Sequence, residues 1–249
     1  MSRFYVIANL GGRCGNQFYQ IATAIAYAKK NDFDYYVTST ASNCDNNAVY
    51  FNHFEKQDRS GQLFTELQEN GIPYHIEIPK IENLMLIGYW QSFKYFDAYR
   101  QDVLDAFKLP YERKDGYVSI HVRRGDFLVP NTKFPPLEFS YYQKAIQYFS
   151  MKGYNKFVIF SDDIPYCKSL FNSFYFANQE FEFSEGKTEL EDLSLMSGCE
   201  HNIIANSSFS YAASWFNQNP DKIVLTPDEN NLFVGANRDM IPDTYIKIN

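Results

Sequence analysis

Residues 116–127 read GYVSIHVRRGDF, an apolar segment that ends in a polar and charged group. The run GYVSI predicts a β-strand, and Arg123 and Arg124 follow closely after it. From this stretch onward, further apolar strands alternate with segments of helical periodicity. Such alternation predicts a parallel, doubly wound sheet. The expected fold class is therefore α/β, with two arginines at the end of one strand.

The second half of the chain supplies the other elements of this pattern. Ser140 is predicted to cap a helix, and Thr188 with Glu191 predicts a capping box at the start of another. Further strands are predicted at KFVIF, NIIA and KIVL, and further helices at IPYCKSLF and SYAASWFN.

The first half begins with the same kind of unit. RFYVIANL predicts a strand, GGRCGN a glycine loop, and QFYQIATAIAYAKKND a helix that ends on lysines. Residues 31–80 show little periodicity, and we expect loops and short helices there. The charged stretch LPYERKDG, residues 109–116, predicts the boundary between two domains, 1–112 and 113–249.

Composition excludes several classes of protein. With 249 residues and 45% hydrophobic residues, the chain can bury a substantial core. A net charge of -7 argues against a nucleic-acid partner. Cys14, Cys44, Cys167 and Cys199 lack the spacing of a zinc site, so we expect free, mostly buried thiols. The absence of a signal peptide or a long apolar run predicts a cytoplasmic protein without a transmembrane segment.

Three polar clusters directly follow three of the predicted strands. HVRRGD follows GYVSI, SDD follows KFVIF, and NSSFS follows NIIA. Ligands of open α/β sheets bind outside the carboxyl ends of the strands. Hydroxyls and amides at a helix start bind anions, and Arg123 can bind an oxyanion with both of its terminal nitrogens. The first and third clusters together therefore predict a site for a pyrophosphate.

Each cluster also has a purely structural interpretation. Ser207 or Ser208 could be an ordinary N-cap, and Asp126 could hold Arg124 in an ion pair. His121, late in a strand, is as well explained as a hydrogen-bonded core residue as by a ligand contact.

The acidic pair, Asp162 and Asp163, has three interpretations. The residues could be loop and cap residues, or they could hold a divalent ion on a nucleotide-sugar diphosphate. Two arginines and a helix N-terminus already supply positive charge, which makes a metal redundant. We therefore favour the third interpretation, in which the carboxylates accept hydrogen bonds from ribose hydroxyls or a guanine edge, and we expect no metal site.

Several ordered motifs resemble the α-1,2-fucosyltransferases of glycosyltransferase family 11, over nearly the whole chain. The similar segments are GRCGNQFYQIATAIAYA, GYWQSFKYF, HVRRGDF, FSDDIPYCK and EDLSLMSGCEHNIIANSSFSYAASWFNQNPDKIV. The resemblance implies a GT-B-like fold, in which two Rossmann-like domains face each other across a cleft. Residues 1–112 would form the acceptor-side domain, and residues 113–249 the domain that binds the GDP-sugar donor. It also implies GDP-β-L-fucose as the donor, a glycan acceptor joined in α-1,2 linkage, inversion at the anomeric carbon, and neither a catalytic metal nor a separate cofactor.

The resemblance also implies roles for particular residues. Arg123 would bind the β-phosphate, and Arg124 and Asp126 would shape its loop. Asp162 or Asp163 would contact the nucleoside. Further substrate contacts are expected from the N-terminal domain, the end of the predicted strand and the third cluster, at Gly12, Gly15, Asn16, Gln17, His121, Asn206, Ser207, Ser208 and Phe209.

One departure from the family pattern concerns the acceptor. Tyr211 and Ala212 stand where members of the family commonly have two tryptophans. Two alternatives therefore stay open: a GDP-sugar transferase of different donor or acceptor specificity, and a nucleotide-sugar binding protein without catalytic activity.

Overall fold

A computed structural model describes residues 4–39, 49–56, 63–69, 75–129, 135–228 and 238–249 of the chain. It divides into two compact units, each with one parallel sheet. The first unit is Met1–Leu109 with Asn237–Pro242, and the second is Pro110–Ala236 with Asp243–Asn249. The division after Leu109 lies at the start of the charged stretch LPYERKDG. The acceptor and donor roles expected of the two domains stay predictions.

The first unit is built on a four-stranded sheet with the order β2-β1-β4-β3. Its long helix begins at Cys14, inside the segment GGRCGN that was predicted to be a loop, and ends at Asn31, where Asp32 with a φ of 58° is the C-cap. As predicted, Lys29 and Lys30 lie in the last turn, where they interact favourably with the helix dipole. The elements are β1 Tyr5–Leu10, α1 Cys14–Asn31, β2 Asp34–Ser39, β3 Thr65–Gln68, β4 Leu84–Ile87 and α2 Arg100–Phe107.

The expectation of loops and short helices between residues 31 and 80 is wrong where β2 and β3 lie. β2 pairs with β1 along its whole length, and β3 pairs with β4 in the same parallel sense. The residues of β3, TELQ, are mostly exposed, so this edge strand has no apolar pattern of its own. Backbone hydrogen bonds to its neighbour stabilise it instead.

The second unit is built on a six-stranded sheet with the order β10-β9-β8-β5-β6-β7, in which all pairs are parallel. The predicted α/β class with doubly wound parallel sheets is confirmed. The elements are β5 Lys114–Val122, α3 Phe139–Ser150, β6 Lys156–Ser161, α4 Ile164–Leu170, β7 Glu180–Phe183, α5 Glu189–Gly198, β8 Cys199–Ile203, α6 Ser208–Phe216, β9 Val224–Pro227 and β10 Ile246–Ile248.

Two helix starts in this unit were predicted from the sequence, and the structure confirms one and contradicts the other. The capping box of α5 is present: the Thr188 amide donates to Glu191 Oε2 over 2.7 Å, and the Glu191 amide donates to Thr188 Oγ1 over 3.3 Å. Ser140, in contrast, is not an N-cap, because α3 begins one residue earlier with Glu138 in the cap position. The apolar face predicted for α3 is buried against β5 and β6.

Two findings bear on the predictions from composition. The thiols of Cys14, Cys167 and Cys199 are buried and are not joined in a disulfide, while Cys44 lies outside the described residues. In the ranges given above, none of the helices combines the length and apolar character that a membrane span requires.

Candidate functional site

The strand order of the second unit brings the three polar clusters to one edge of the sheet. β5 lies between β8 and β6, and its last residues pair level with the ends of both neighbours. After β5 the chain adds β6 and β7 on one side, whereas after β8 it adds β9 and β10 on the other. The junction of β5 and β8 is therefore the topological switch point, where open α/β sheets bind their ligands.

Arg123 connects the first and second clusters. Its Nη1 donates to Asp162 Oδ2 over 2.7 Å, and its Nη2 is close to Asp126 Oδ1. Its guanidinium lies 5.4 Å from the ring centroid of Phe127, and its side chain is only 12% exposed. Asp126 can reach back to Arg123 because residues Gly125–Leu128 form a 3-10 turn. The side chain of Arg123 is thus held by carboxylates on two different segments.

Arg124 has a different set of contacts. Its Nε donates to Asp163 Oδ2 over 3.0 Å, and its guanidinium carbon lies 3.3 Å from the centroid of the Tyr166 ring. Its backbone amide donates to Asp162 Oδ1 over 2.9 Å. Asp163 is at the same time the N-cap of α4 and accepts from the Tyr166 amide over 3.1 Å. Arg124 therefore fastens the loop after β5 to the start of α4.

The ion pairs place three carboxylates around two guanidinium groups. With all five groups ionised, the cluster carries one net negative charge, so the surplus of positive charge expected from the sequence is not present in this form. A diphosphate that takes up the Nη donors of Arg123 would exchange with one of these carboxylates. Asp126 is 61% exposed, whereas Asp162 is also fixed by the Arg124 amide, so Asp126 is the carboxylate that can leave Arg123 at lower cost.

The third cluster begins α6 beside the end of β5. Ser207 occupies the N-cap position with extended backbone, and its side chain makes no cap hydrogen bond. The ring of Phe209 lies 5.5 Å from that of His121, which joins the helix start to β5. Asn206 is buried and donates to the carbonyl of Pro135 over 2.9 Å. Ser207 and Ser208 are partly exposed at this helix N-terminus, where an anion is stabilised.

The residues expected from the N-terminal domain lie at the β1–α1 loop of the first unit. Gly12 has a φ of 67°, and a side chain there would collide with Asn16. Gln17 is fully buried, donates to the Gly12 carbonyl over 3.2 Å and accepts from the Tyr50 amide over 3.1 Å, so it supports the loop. Gly15 is buried in the first turn of α1, whereas Asn16 is partly exposed.

Four further residues complete this edge of the first sheet, and none of them was predicted from the sequence as a site residue. Gln20 accepts from the Gly11 amide and donates to the Gly88 carbonyl, which joins the loops after β1 and β4. The other three are Glu69, Tyr89 and Gln91. The signal for Tyr89 and Gln91 was the segment GYWQSFKYF, and the signal for Gln20 was the segment GRCGNQFYQIATAIAYA, both of which were motifs of the resemblance without a role for these residues. Glu69 lies in neither segment.

The chemistry available at the edge of the second sheet is electrostatic. Burial raises the pKa of the Cys167 thiol to about 11, so this residue of α4 is not an activated nucleophile. Among the described residues, no group of three or more His, Cys, Asp and Glu side chains is arranged to hold a metal ion. Arginine side chains and helix amides remain, and both stabilise an anion.

A model of one protein family matches residues 72–235 of the chain; it is described as Glycosyl transferase family 11. Two relatives from Escherichia coli are each 31% identical: an alpha-1,2-colitosyltransferase over 65% of this chain and 61% of its own length, and the O-antigen biosynthesis glycosyltransferase WbnK over 66% and 60%. A galactoside 2-alpha-L-fucosyltransferase, SEC1 of Bos taurus, is 26% identical over 83% of this chain and 63% of its own length. The chain thus spans about three fifths of the length of these relatives.

The fold is similar to that of a solved fucosyltransferase. The structure of NodZ alpha-1,6-fucosyltransferase soaked with GDP-fucose superimposes with a TM-score of 0.51 at 12% identity, covering 92% of this chain and 97% of the other. The structure of Se-Met fucosyltransferase NodZ from Bradyrhizobium gives the same TM-score, with 93% and 97% covered. At this identity the similarity concerns the fold alone, and it agrees with the predicted GT-B-like class.

Proposed function

Because the chain belongs to glycosyl transferase family 11, we propose that it transfers L-fucose from GDP-β-L-fucose to the 2-hydroxyl of a terminal galactose-type acceptor, in α-1,2 linkage and with inversion. The observation that carries the proposal is the position of Arg123, held by Asp162 at the end of β5, the strand that contacts the start of α6 through His121 and Phe209. The names of the relatives support a sugar transfer that forms an α-1,2 bond.

The proposed reaction is a single displacement. An oxygen lone pair of the acceptor 2-hydroxyl forms a bond to the anomeric carbon of fucose while the bond from that carbon to the β-phosphate oxygen breaks. The leaving GDP keeps the electron pair, and the hydroxyl proton passes to a base or to solvent. Attack from the side opposite the phosphate converts the β-linked donor into an α-linked product.

Arg123 would stabilise the charge that develops on the leaving diphosphate. Fixed donors aimed at developing charge are usually the largest contribution to catalysis. When the donor binds, its β-phosphate would replace the Asp126 carboxylate on Arg123, while Asp162 would keep the guanidinium in place. Ser207, Ser208 and the first amides of α6 would bind the same diphosphate from the other side of the switch point.

The proposal includes no metal ion and no cofactor other than the donor. Asp162 and Asp163 hold the two arginines in the structure, which supports a role other than metal binding. A contact of either carboxylate with the nucleoside stays a prediction.

A second candidate donor carries colitose in place of fucose. The observation that favours it is the 31% identity to an alpha-1,2-colitosyltransferase, which exceeds the 26% identity to the bovine fucosyltransferase. Both candidates use the same proposed diphosphate site, so the sugar pocket would decide between them.

The test is an assay of GDP release with GDP-fucose, GDP-colitose and GDP-mannose against a panel of β-galactosides and other terminal sugars. Linkage analysis of the products completes it. Transfer of fucose to galactose in α-1,2 linkage is the expected result. Turnover with GDP-colitose alone would support the second candidate, and another acceptor or linkage would defeat the proposed specificity. GDP binding without turnover on any acceptor would favour a non-catalytic binding protein.

A further inference from the structure

The turn that follows β4 in the first unit has an unusual backbone. Gly88 has a φ of 130°, and Trp90 has a φ of 54° although it is a large residue. The left-handed region is unfavourable for a bulky side chain and is kept only where surrounding contacts enforce it. The Trp90 side chain is fully buried, and this packing is one such contact. Backbone strain of this kind is concentrated at ligand sites.

The carboxylate of Glu69 holds the turn by accepting two hydrogen bonds from its backbone amides. Glu69 Oε2 accepts from the Tyr89 amide over 2.9 Å and from the Trp90 amide over 2.8 Å. The Gly88 carbonyl accepts from Gln20 Nε2 over 2.8 Å, and the Trp90 carbonyl accepts from the Ser92 amide over 2.8 Å. Hydrogen bonds to an ionised carboxylate are stronger than those between neutral groups. The backbone of residues 88–90 is thus fixed by hydrogen bonds at its amides and at its carbonyl groups.

This fixed turn presents a large ring to solvent. The side chain of Tyr89 is 47% exposed, at the carboxyl end of a strand that neighbours β1 in the middle of the sheet. Two residues further on, Gln91 Nε2 donates to Asn16 Oδ1 over 2.7 Å. Because the backbone that carries this ring is fixed, a ligand that stacks on the ring does not have to order the turn, and less entropy is lost on binding.

These groups have the chemistry that a sugar requires. The C–H face of a pyranose packs on an aromatic ring, and amide side chains both donate to and accept from hydroxyl groups. The Glu69 carboxylate beneath the turn disfavours an anionic ligand. The ligand class is therefore a neutral terminal pyranose.

We propose that Tyr89 is the stacking platform of a subsite for the terminal pyranose of the acceptor, with the amides of Asn16 and Gln91 beside it. Glu69 is a positioning residue that acts through the backbone of Tyr89. This inference rests on the proposed function, because it assigns the acceptor of the same reaction to the first unit.

The experiment measures sugar binding and transfer separately on the full chain. Saturation-transfer NMR with methyl β-galactoside and lactose, in the presence of GDP, reports sugar binding without any need for turnover. The variants are Tyr89→Ala, Tyr89→Phe, Glu69→Ala and Glu69→Gln. The matched control is Tyr175→Ala, because Tyr175 in the second unit is also 47% exposed. Transfer kinetics and GDP affinity are measured for the same set.

Tyr89→Ala should raise the acceptor KM by roughly tenfold or more and weaken the NMR signal, with GDP affinity within about twofold of wild type. Tyr89→Phe and Tyr175→Ala should bind the acceptor normally. Glu69→Ala should resemble Tyr89→Ala, and Glu69→Gln, which retains an acceptor oxygen for the two amides, should restore most of the binding.

An unchanged acceptor KM and NMR signal in Tyr89→Ala would overturn the inference, and so would a wild-type protein that gives no saturation transfer with either sugar. Failure of the proposed function looks different. A wild-type protein that transfers no sugar but loses its NMR signal on Tyr89→Ala would lack the proposed activity and retain the subsite.

Discussion

The guanidinium carbon of Arg124 lies 3.3 Å from the centroid of the Tyr166 ring, while the adjacent Arg123 points its guanidinium at Asp126 and Asp162. Two consecutive arginines therefore have different tasks. Arg124 uses its charge, its planar face and its backbone amide to fasten a loop to α4. Arg123 has an exposed carboxylate, that of Asp126, as one of its partners, and this is the partner that the proposed β-phosphate would replace.

Removal of Arg124 should lower stability. Arg124→Ala loses the stacking on Tyr166 and the ion pair with Asp163, and we expect the free energy of unfolding to fall by about 1–2 kcal/mol. Arg124→Lys should recover only part of this, because an ammonium group does not stack as a guanidinium does. Chemical denaturation measures the change. Equal stability of wild type and Arg124→Ala would contradict the fastening role.

Removal of Arg123 should impair catalysis. We expect Arg123→Ala to lower kcat by roughly a hundredfold to a thousandfold, the usual effect of losing one fixed donor to developing charge. Arg123→Lys should recover little, because an ammonium lacks the fork that holds Asp162 and an oxyanion together. Steady-state kinetics measures the effect, and circular dichroism checks the fold.

A matched control for Arg123 is Arg113→Ala in the same unit. Arg113 pairs with Asp115 on the surface, away from the switch-point contacts, and its loss should leave turnover unchanged. Wild-type kcat in Arg123→Ala, or an equal loss in the control, would remove Arg123 from the proposed mechanism.

Chelation tests the proposal that no metal takes part. We expect activity to survive an excess of EDTA and to change little when Mg²⁺ or Mn²⁺ is added. The physical reason is that Asp162 and Asp163 already bind the two arginines. Loss of activity with EDTA and its recovery with metal would instead identify these aspartates as metal ligands. The net negative charge of the cluster would also favour a bound cation.

Substitutions at two glycines should distinguish an effect on the site from an effect on the fold. A Cβ at Gly125 would lie 2.5 Å from Asp162 Oδ2, the end of a side chain that can move. Gly125→Ala should therefore shift Asp162 from Arg123 and lower kcat, with little change in Tm. A Cβ at Gly198 would lie 2.0 Å from the backbone carbonyl oxygen of Glu112.

Because a backbone atom cannot move aside, Gly198→Ala should lower the free energy of unfolding by about 1–3 kcal/mol. Thermal melts and turnover are measured for both variants. A Tm of Gly125→Ala as low as that of Gly198→Ala, or a wild-type kcat in Gly125→Ala, would contradict this prediction.

His201 should make stability depend on pH. Burial lowers the pKa of this ring, which stacks on Phe149 at 5.2 Å and accepts from the Ile223 amide over 3.0 Å. As the pH falls, His201 is therefore protonated at a higher pH in the unfolded chain than in the folded protein. The stabilisation is complete above the ordinary pKa of about 6.5 and is lost as the pH falls from there through the folded-state value.

We expect Tm to fall between pH 7.5 and pH 5.5, conditions chosen to bracket the ordinary histidine pKa of about 6.5. The fall should be smaller in His201→Phe, which keeps a ring against Phe149 but cannot titrate. His53→Gln, at an exposed position, should keep the wild-type dependence. An equal fall in wild type and His201→Phe would show that another group controls it.

Strands with apolar sequences were predictable, and edge strands were not. β5 and β6 lie inside the sheet and their central residues are largely apolar, so the sequence indicates them. β8 also lies inside the sheet, but it contains Glu200, His201 and Asn202, and the predicted strand NIIA overlaps only its last two residues. β3 and β7 lie at sheet edges, each paired on one side only. Their hydrogen bonds come from a neighbouring backbone, and an exposed face requires no apolar side chains. For β3 the pattern was therefore too weak to distinguish a strand from a loop.

The location of the polar clusters was predictable from the topology, but their pairing was not. Parallel strands bring their carboxyl ends together, which is enough to place Arg123, Asp162 and Ser207 at one edge. From the sequence, Asp126 was a possible partner of Arg124, whereas in the structure it pairs with Arg123. That choice depends on the turn at Gly125–Leu128, whose curvature no periodicity reveals.

The segment Asn237–Pro242 belongs to the first unit although it is encoded near the end of the chain. Met240 is fully buried there, and Asp239 binds Lys94 over 2.7 Å and accepts from the His75 amide over 2.8 Å. A ribosome releases the N-terminus first. The unit whose strands emerge earliest therefore waits until most of the second unit has been translated before its packing is complete, and a fragment that ends at Leu109 would lack these contacts.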